Sequence, residues 1–537
     1  MSFLRYHFTD ISNPDPLGLN VDICVYGQSA GAITAAVQAA NSGLRCALIV
    51  NSAWIGGLTS GGLGCTDIGN EAAIGGLARE FYRRVGSYYG VEEEWYFEPH
   101  VAEKVLHGML DEAGVVPRLK QHLRRAVIEK GRIVSIECES GLTVRAHQYI
   151  DASYEGDLMA AAGVSWTSGR EGNTVHGELV NGVQIRELHQ FEVPISPYRR
   201  EGDPASGLLP GINGEAPAPQ GSGDHRIQAY NFRMCLTRFA DRLPFQKPDD
   251  YRPEDYELLA RYLRSGWKDV FHKFDPIRGG KTDTNNHGAF STDLVGGSDR
   301  FPHVSNAERE AIFQRHVTYQ QGLMWFLAND SRVPDILRNA MKGWGLAADE
   351  FCDTDGWSRQ LYIRECRRMR SDYVVTELDC RGYRRGDDPV GLGAYALDSH
   401  NCQRVVIGDR VLNEGDVQVS GFDPYPIPFR AIVPARGECG NLTVPVCLSA
   451  SHVAYGSIRM EPVFMVLGQS AAMAAVMALK EGYGAVGDVP YSLLRRRLEQ
   501  SGQKLEGKKK TLKWIDEGIP AAARNKANTD PVLTAIG

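Results

Sequence analysis

Residues 21–51, VDICVYGQSAGAITAAVQAANSGLRCALIVN, constrain the fold more than any other stretch of this chain. An apolar, β-branched run over 21–27 ends at Gly27 and reads as a buried strand. A helical pattern follows from Ala32 to Ser42, and Gly43 stands where a C-terminal glycine belongs. RCALIVN reads as a second strand, so the whole has the length of a βαβ unit, about 30 residues. Its turn is Gly27-Gln28-Ser29-Ala30-Gly31-Ala32. A phosphate-binding turn needs one glycine for the tight bend. It then needs two small residues, so that backbone can approach a pyrophosphate and the helix can pack on the strand. Gly27, Ser29 and Ala32 meet those demands by size, and Ser29 adds a hydroxyl donor. Ala30 and Gly31 sit at the helix N-terminus, whose amides and dipole favour an anion. Alone, such a turn is as readily a compact βα connection.

At 537 residues the chain exceeds one simple core and predicts two domains, or one with a large insertion. A net charge of −7 argues against a general nucleic-acid binder. The start, MSFLRYHFTDISNPDPLG, has no continuous apolar run, so no signal peptide is expected. The 11 cysteines show no CxxC pair and no metal-ligand spacing. Reduced thiols, a cytoplasmic location and no metal site are the expectation. Residues 463–479 approach membrane-span length. Gln469, Ser470 and many small residues make a buried helix, not a membrane span, the expected form.

Further along, helices are expected in the segments EAAIGGLAREFYRRVGSYYG and EPHVAEKVLHGMLDEAG. Residues 124–150 alternate apolar and polar with turns at Lys130-Gly131 and Ser140-Gly141, an antiparallel meander. Residues 165–400 are rich in Arg, Asp, Asn, Tyr and Pro, with helical patterns near 254–265, 306–328 and 358–376. Strand character returns over 402–435. The expected class is α/β: a Rossmann-like βαβ domain with a meander, split by an inserted α+β substrate domain. Its parts are 1–164, an insert over 165–400, a return over 401–481 and a helical tail over 482–537.

Three segments converge on the first turn as parts of one flavin site. The glycine-dense loop Gly56, Gly57, Leu58, Thr59, Ser60, Gly61, Gly62 implies backbone packed against something flat or bulky. In YIDASYEGDLMAAAG a strand runs into Ala152 and Ser153, and a helix starts near Asp157, which reads more readily as its cap. Met460, Glu461 and Pro462 open the long small-residue helix, with proline in its first turn. The positive end of that helix would stabilise an anionic reduced flavin. Where an acid would grip a ribose, the second strand ends at Asn51-Ser52, whose groups bond a hydroxyl without charge. That weakens a nicotinamide dinucleotide more than FAD.

The segments WIGGLTSGGLGCTDIGNEAAIGGLAREFY, IDASYEGDLMAAAGVSW, GKTDTNNHGAFSTD, LYIRECRRM, GLGAYALDSHN and RGECGNLTVPVCLSASHVAYGSIRMEPVFMVLGQSAA resemble the generic bacterial FAD-dependent oxidoreductase family, of the glutathione-reductase-like fold. The resemblance spans about Val21 to Leu479. It implies bound FAD and redox chemistry on a poorly defined substrate. Some relatives carry the label xanthan lyase, and no residue pattern here supports polysaccharide cleavage.

Oxidation of a C–H bond needs a base beside the flavin. His452 in SASHVAYGS is the first candidate, with His287 in TDTNNHGAFSTD and His400 in LDSHN behind it. Arg233, Arg364 and Arg430 are candidate carboxylate clamps, each more readily a structural ion pair. The run Arg364, Arg367, Arg368, Arg370 reads partly as a solvated helix face. Cys65 reads as packing. The expected reaction is oxidation of a polar small molecule, with an electron acceptor that the sequence does not identify. The alternatives are reduction of an activated C=C bond and a non-catalytic flavoprotein module. Self-association stays open; no nucleic-acid or membrane partner is expected.

Overall fold

The computed structural model describes residues 4–9 and 18–507. The opening βαβ forms as read: β1 (Gly18–Tyr26), α1 (Ala30–Asn41) and β2 (Cys46–Ile49), with β1 and β2 parallel from Ile23↔Cys46 to Tyr26↔Ile49. Gly43 takes φ +76° just after α1, the left-handed backbone that a helix-ending glycine supplies. A short helix, α2 (Gly57–Gly61), lies inside the glycine-dense loop. The meander is β3 (Leu123–Glu129), β4 (Arg132–Cys138) and β5 (Thr143–Asp151).

The last meander strand does more than its local pattern announces. β5 lies antiparallel to β4 but also parallel to β1, paired along its whole length from Gly18↔Thr143 to Tyr26↔Asp151. Its far edge is shared. β4 takes residues 143–145, and β6 (Leu442–Thr443) takes Tyr149 and Ile150 in parallel. The sheet order is β2-β1-β5-β4-β3 with β6 beside β5. The chain therefore leaves this sheet after Asp151 and returns to it at Leu442.

Between those points run α3 (Asp157–Ala161), a four-stranded antiparallel sheet and α4 (Asn306–Asn329). That sheet orders 274–277, 281–284, 234–237 and 345–346. Ser305 and Glu308 close a reciprocal capping box at the start of α4. One expected helix is absent: residues 358–376 hold no helix, only the two-residue strand Arg368–Met369. The arginine spacing there resembles a helix face, but Arg364 and Arg368 are fully buried. They are held by carboxylates from distant segments.

The return is α5 (His452–Ile458) and α6 (Glu461–Glu481). α6 is the one helix among the described residues long and apolar enough to cross a membrane, and 89% of its apolar window is buried within the protein. It crosses α1 at backbone contact. A Cβ on Gly468 would stand 2.1 Å from the Gly31 carbonyl oxygen, and one on Gly31 2.6 Å from that of Phe464. Thr34 Oγ1 donates to the Met465 carbonyl at 2.7 Å across the same seam. A single cluster of buried apolar side chains joins Ile33 and Met465 to Phe232, Tyr262 and Leu327, so the core is continuous across residues 165 and 400. Tyr491–Gln500 is helical; the rest of the expected tail beyond residue 507 lies outside the described residues.

Candidate cofactor cradle and the polar cluster beside it

At the first turn Gly27 adopts φ +134°, and a Cβ there would stand 2.3 Å from the Ala152 backbone. The turn is tight because β5 ends against it. Ser29 is the N-cap of α1, its oxygen accepting from Ala32 N. Its hydroxyl donates to the Ala152 carbonyl at 2.6 Å. That corrects the expectation of a free hydroxyl for a phosphate: Ser29 ties α1 to the end of β5, and Ala30 and Gly31 open the helix with first-turn amides.

The expected segments do meet. A parallel bridge between Ser29 and Gly56 brings the glycine loop beside the α1 N-terminus. Glu461, in the first turn of α6, accepts from Thr59 Oγ1 at 2.7 Å and Tyr154 OH at 2.6 Å. Tyr154 OH in turn accepts from Leu58 N. Burial pushes the Glu461 carboxyl up to about 7. The N-termini of α1 and α6 therefore stand at one place, flanked by α2 and the end of β5. Met460 is the buried N-cap and Pro462 the second residue of α6.

The glycine loop is dense for a second reason, not foreseen. Cβ atoms on Gly61 and Gly62 would meet Gln360 Cβ at 2.7 Å and the Arg233 carbonyl at 2.9 Å. Ser60 Oγ donates to the Ile55 carbonyl. Much of the demand for glycine comes from the protein's own backbone.

At the end of β2, Asn51 Nδ2 donates to Glu155 Oε2 at 3.3 Å. Gln28 Nε2 donates to the same carboxylate at 3.2 Å and Tyr6 OH at 3.1 Å. Burial raises the Glu155 carboxyl to about 7. The acid missing after β2 thus arrives from the turn that follows β5. Gln28 Oε1 and Asn51 Oδ1 are buried acceptors without a partner. An unmet buried acceptor costs about 1–3 kcal/mol, and ribose hydroxyls are donors of the kind that would meet it. The helix N-termini, the close-packed turn and these orphan acceptors fit FAD.

Three more expected cofactor contacts are engaged within the chain. Ser153 Oγ donates to Asp151 at 2.6 Å. Asp157 is not the cap of α3, which is Gly156; it pairs with Arg309 at 2.8 Å and Arg367 at 2.6 Å. Burial pushes its pKa up, but the two guanidiniums outweigh burial and hold the carboxylate below its usual range. Ser52 Oγ accepts from Trp54 N.

The four candidate catalytic side chains do not form one group. His452 is 2% exposed, with Nδ1 against Glu365 at 2.8 Å and Nε2 against Ser399 Oγ at 3.0 Å. Both ring nitrogens are thereby engaged, and Glu365 also holds Arg368. Arg233 spends its fork on Asp283, at 2.7 and 2.8 Å, and reaches Asp67 at 3.3 Å. It is the structural ion pair of the two readings. Arg430 pairs with Asp387 and Asp388 in the same way. His287 lies apart, paired with Asp269.

His400 belongs to a larger cluster. Its Nδ1 meets Asp293 at 2.8 Å and its Nε2 stands 3.7 Å from Asp398. Asp293 also pairs with Arg364 at 2.8 Å, and Asp398 with Arg459 at 3.1 Å. The Tyr362 ring lies between Arg364 and Arg459, with guanidinium carbons 4.8 and 5.3 Å from its centroid. Burial raises Asp293, but Arg364 and His400 bring its carboxyl down to about 2. Arg459 directly precedes the N-cap of α6, so the cluster borders the cradle. Asp398 is only half-buried, and it marks the solvent side of the cluster. The sequence reading missed Asp293, Tyr362, Asp398 and Arg459. Only Asp398 had a local signal, standing two residues before His400.

Cys65 matches the packing role. Burial pushes its thiol up to about 12, and all 11 cysteines are free.

Fold and site together define a flavin-dependent redox protein with a βαβ nucleotide cradle. A family model described as FAD dependent oxidoreductase matches residues 22–498, and the chain belongs to that family. Its cofactor is FAD. No curated protein matches the sequence. Solved structures resemble parts of it. A geranylgeranyl bacteriochlorophyll reductase-like protein from Thermoplasma acidophilum is 22% identical over 28% of this chain and 43% of its own, TM-score 0.21. L-proline dehydrogenase from P. horikoshii is 12% identical over 29% and 59%, TM-score 0.24. L-amino acid deaminase from Proteus vulgaris is 13% identical over 30% and 53%, TM-score 0.24. The chain thus spans about half the length of these proteins, and the likeness carries no argument about reaction or substrate.

Proposed function

We propose that this FAD-dependent oxidoreductase oxidises a polar small molecule, an alcohol or amine, with His400 as proton acceptor. The supporting observation is the cluster of Arg364, Arg459, Tyr362, Asp293, Asp398 and His400 beside the α6 N-terminus. Bound FAD supplies the two-electron acceptor. The chain's share is to orient the substrate and take its proton. Asp293 fixes the His400 ring through Nδ1 and leaves Nε2, at 3.7 Å from Asp398, the less committed nitrogen. His452 has both nitrogens committed and acts as a positioning residue through Glu365. In this reading residues 165–400 are the substrate-side insert, the protein works in the cytoplasm, and neither nucleic acid nor membrane is a partner.

Anaerobic mixing with a panel of polar alcohols and amines tests the reading. A substrate should bleach the oxidised flavin, and His400→Asn should slow that bleaching about 10²–10⁴-fold with flavin content unchanged. Reoxidation of reduced flavin by an activated alkene, with no bleaching by any alcohol or amine, would favour the reductase instead. Unchanged bleaching in His400→Asn would remove His400 from the chemistry.

A further inference from the structure

His287 stands apart from the cradle but not alone. Its Nε2 lies 2.9 Å from Asp269 Oδ2, and His272 Nδ1 lies 3.3 Å from the same oxygen. The two imidazoles stack with centroids 4.1 Å apart. All three ligand atoms fall within 4.8 Å of one another. We propose that Asp269, His272 and His287 form a binding site for a divalent transition metal of the zinc type.

The geometry carries this. Ligands held about 2.0–2.1 Å from a tetrahedral zinc stand about 3.3 Å from one another. Two edges of such a face, 2.9 and 3.3 Å, are already formed at Asp269. The third closes when His272, whose side chain is 56% exposed, turns out of its stack on His287. Two imidazoles and one carboxylate select zinc, copper, nickel or cobalt over magnesium or calcium, which prefer all-oxygen shells.

The backbone presents these ligands from two tied segments. Asn285 N donates to the Lys273 carbonyl at 3.0 Å, extending the pairing of 274–277 with 281–284. Gly288 packs so closely that a Cβ would stand 2.7 Å from the Trp267 ring. A metal would therefore fasten the 267–273 turn to the 285–288 arm. Between them lies a cavity of about 40 Å³ lined by Trp267, Val270, Phe274 and His287, among others. Three protein ligands leave a coordination position open beside it. The other acid–histidine group, Glu98, His100 and Glu350, differs: Lys281 already fills it, with Nζ 2.7 Å from Glu98 and 2.8 Å from Glu350.

This site is independent of the flavin reaction proposed above, and it departs from the expectation of no metal. Its test uses the full flavin-loaded chain, stripped with a chelator and titrated with Zn²⁺ by calorimetry and equilibrium dialysis. One equivalent should bind at this site, with affinity falling at least tenfold in His272→Ala and in His287→Ala, and less in Asp269→Asn. Far-ultraviolet circular dichroism and flavin content should stay unchanged in all three. Absence of Zn²⁺ binding, wild-type affinity in both histidine variants, or competition by excess Mg²⁺ would each overturn the assignment.

Discussion

The cradle and the cluster beside it are held by opposite means. In the cradle, backbone meets backbone: Gly27 on Ala152, Gly31 and Gly468 across the α1–α6 seam. In the cluster, charges meet: Arg364 with Asp293, Arg459 with Asp398. The first arrangement depends on the absence of side chains, the second on their mutual neutralisation. The two should fail differently when a single residue is changed.

The largest loss is expected in the cluster. Asp293→Ala leaves Arg364 buried without its carboxylate and removes the Nδ1 partner of His400. Breaking one side of a buried pair costs about 3–5 kcal/mol, to be read from chemical denaturation. Replacing both members, Arg364→Met with Asp293→Leu, should restore much of it. If the double variant is no more stable than the single one, the pair is not what binds this region.

Next comes a charge inside the cradle. Burial holds the Glu461 carboxyl near 7, whereas an unfolded glutamate titrates at about 4.3. The folded protein thus keeps a proton that the unfolded chain has lost. Its stability falls as pH rises from about 4.5 to 7, by up to about 3 kcal/mol from this group. Glu155 and Glu178, also raised to about 7 by burial, add in the same direction. Glu461→Gln cannot ionise, so its melting temperature should fall less steeply between pH 5 and 7.5. An unchanged slope would mean that Glu461 titrates normally.

A smaller effect belongs to the seam itself. Gly468→Ala places a methyl 2.1 Å from the Gly31 carbonyl and should cost about 1–3 kcal/mol. Because α1 must shift, flavin retention should fall in parallel with melting temperature. Loss of stability with full retention of flavin would separate the seam from the cradle.

The same contrast explains what could be read from the sequence. α1, β2, the Lys130-Gly131 turn and the capped start of α4 follow from neighbours within a few residues. The meeting of Gly56–Gly62 with Glu461 spans 402 residues at Thr59 and followed from the expectation of one shared flavin site, not from local neighbours. The partnership of β5 with β1 was hidden, because a meander strand and a parallel core strand share one local pattern. Arg364 is the ion pair expected and Arg370 is exposed, but the helix face drawn through Arg367 and Arg368 was misread for a related reason. Whether an arginine is solvated or buried depends on carboxylates such as Asp293 and Glu171, 71 and 197 residues away. Glu155 reaches the place of the missing acid after β2 from the turn that follows β5, which no spacing rule announces.

The smallest effect sharpens the boundary between the two regions at Cys65, where the glycine loop meets the strand 281–284. Its backbone N–H donates to Asp283 at 2.8 Å, the carboxylate that also holds Arg233. A thiol raised to about 12 is about one part in 10⁴ thiolate at pH 8, and the thiolate is the reactive form. A nearby guanidinium would ordinarily lower it, but burial and the Asp283 charge prevail. Disulfide-exchange reagents should therefore label Cys352, the exposed cysteine, well before Cys65, by mass spectrometry of the labelled peptides. Rapid labelling of Cys65 would show that the loop opens towards solvent, and that Asp283 holds it less firmly than its pairing with Arg233 implies.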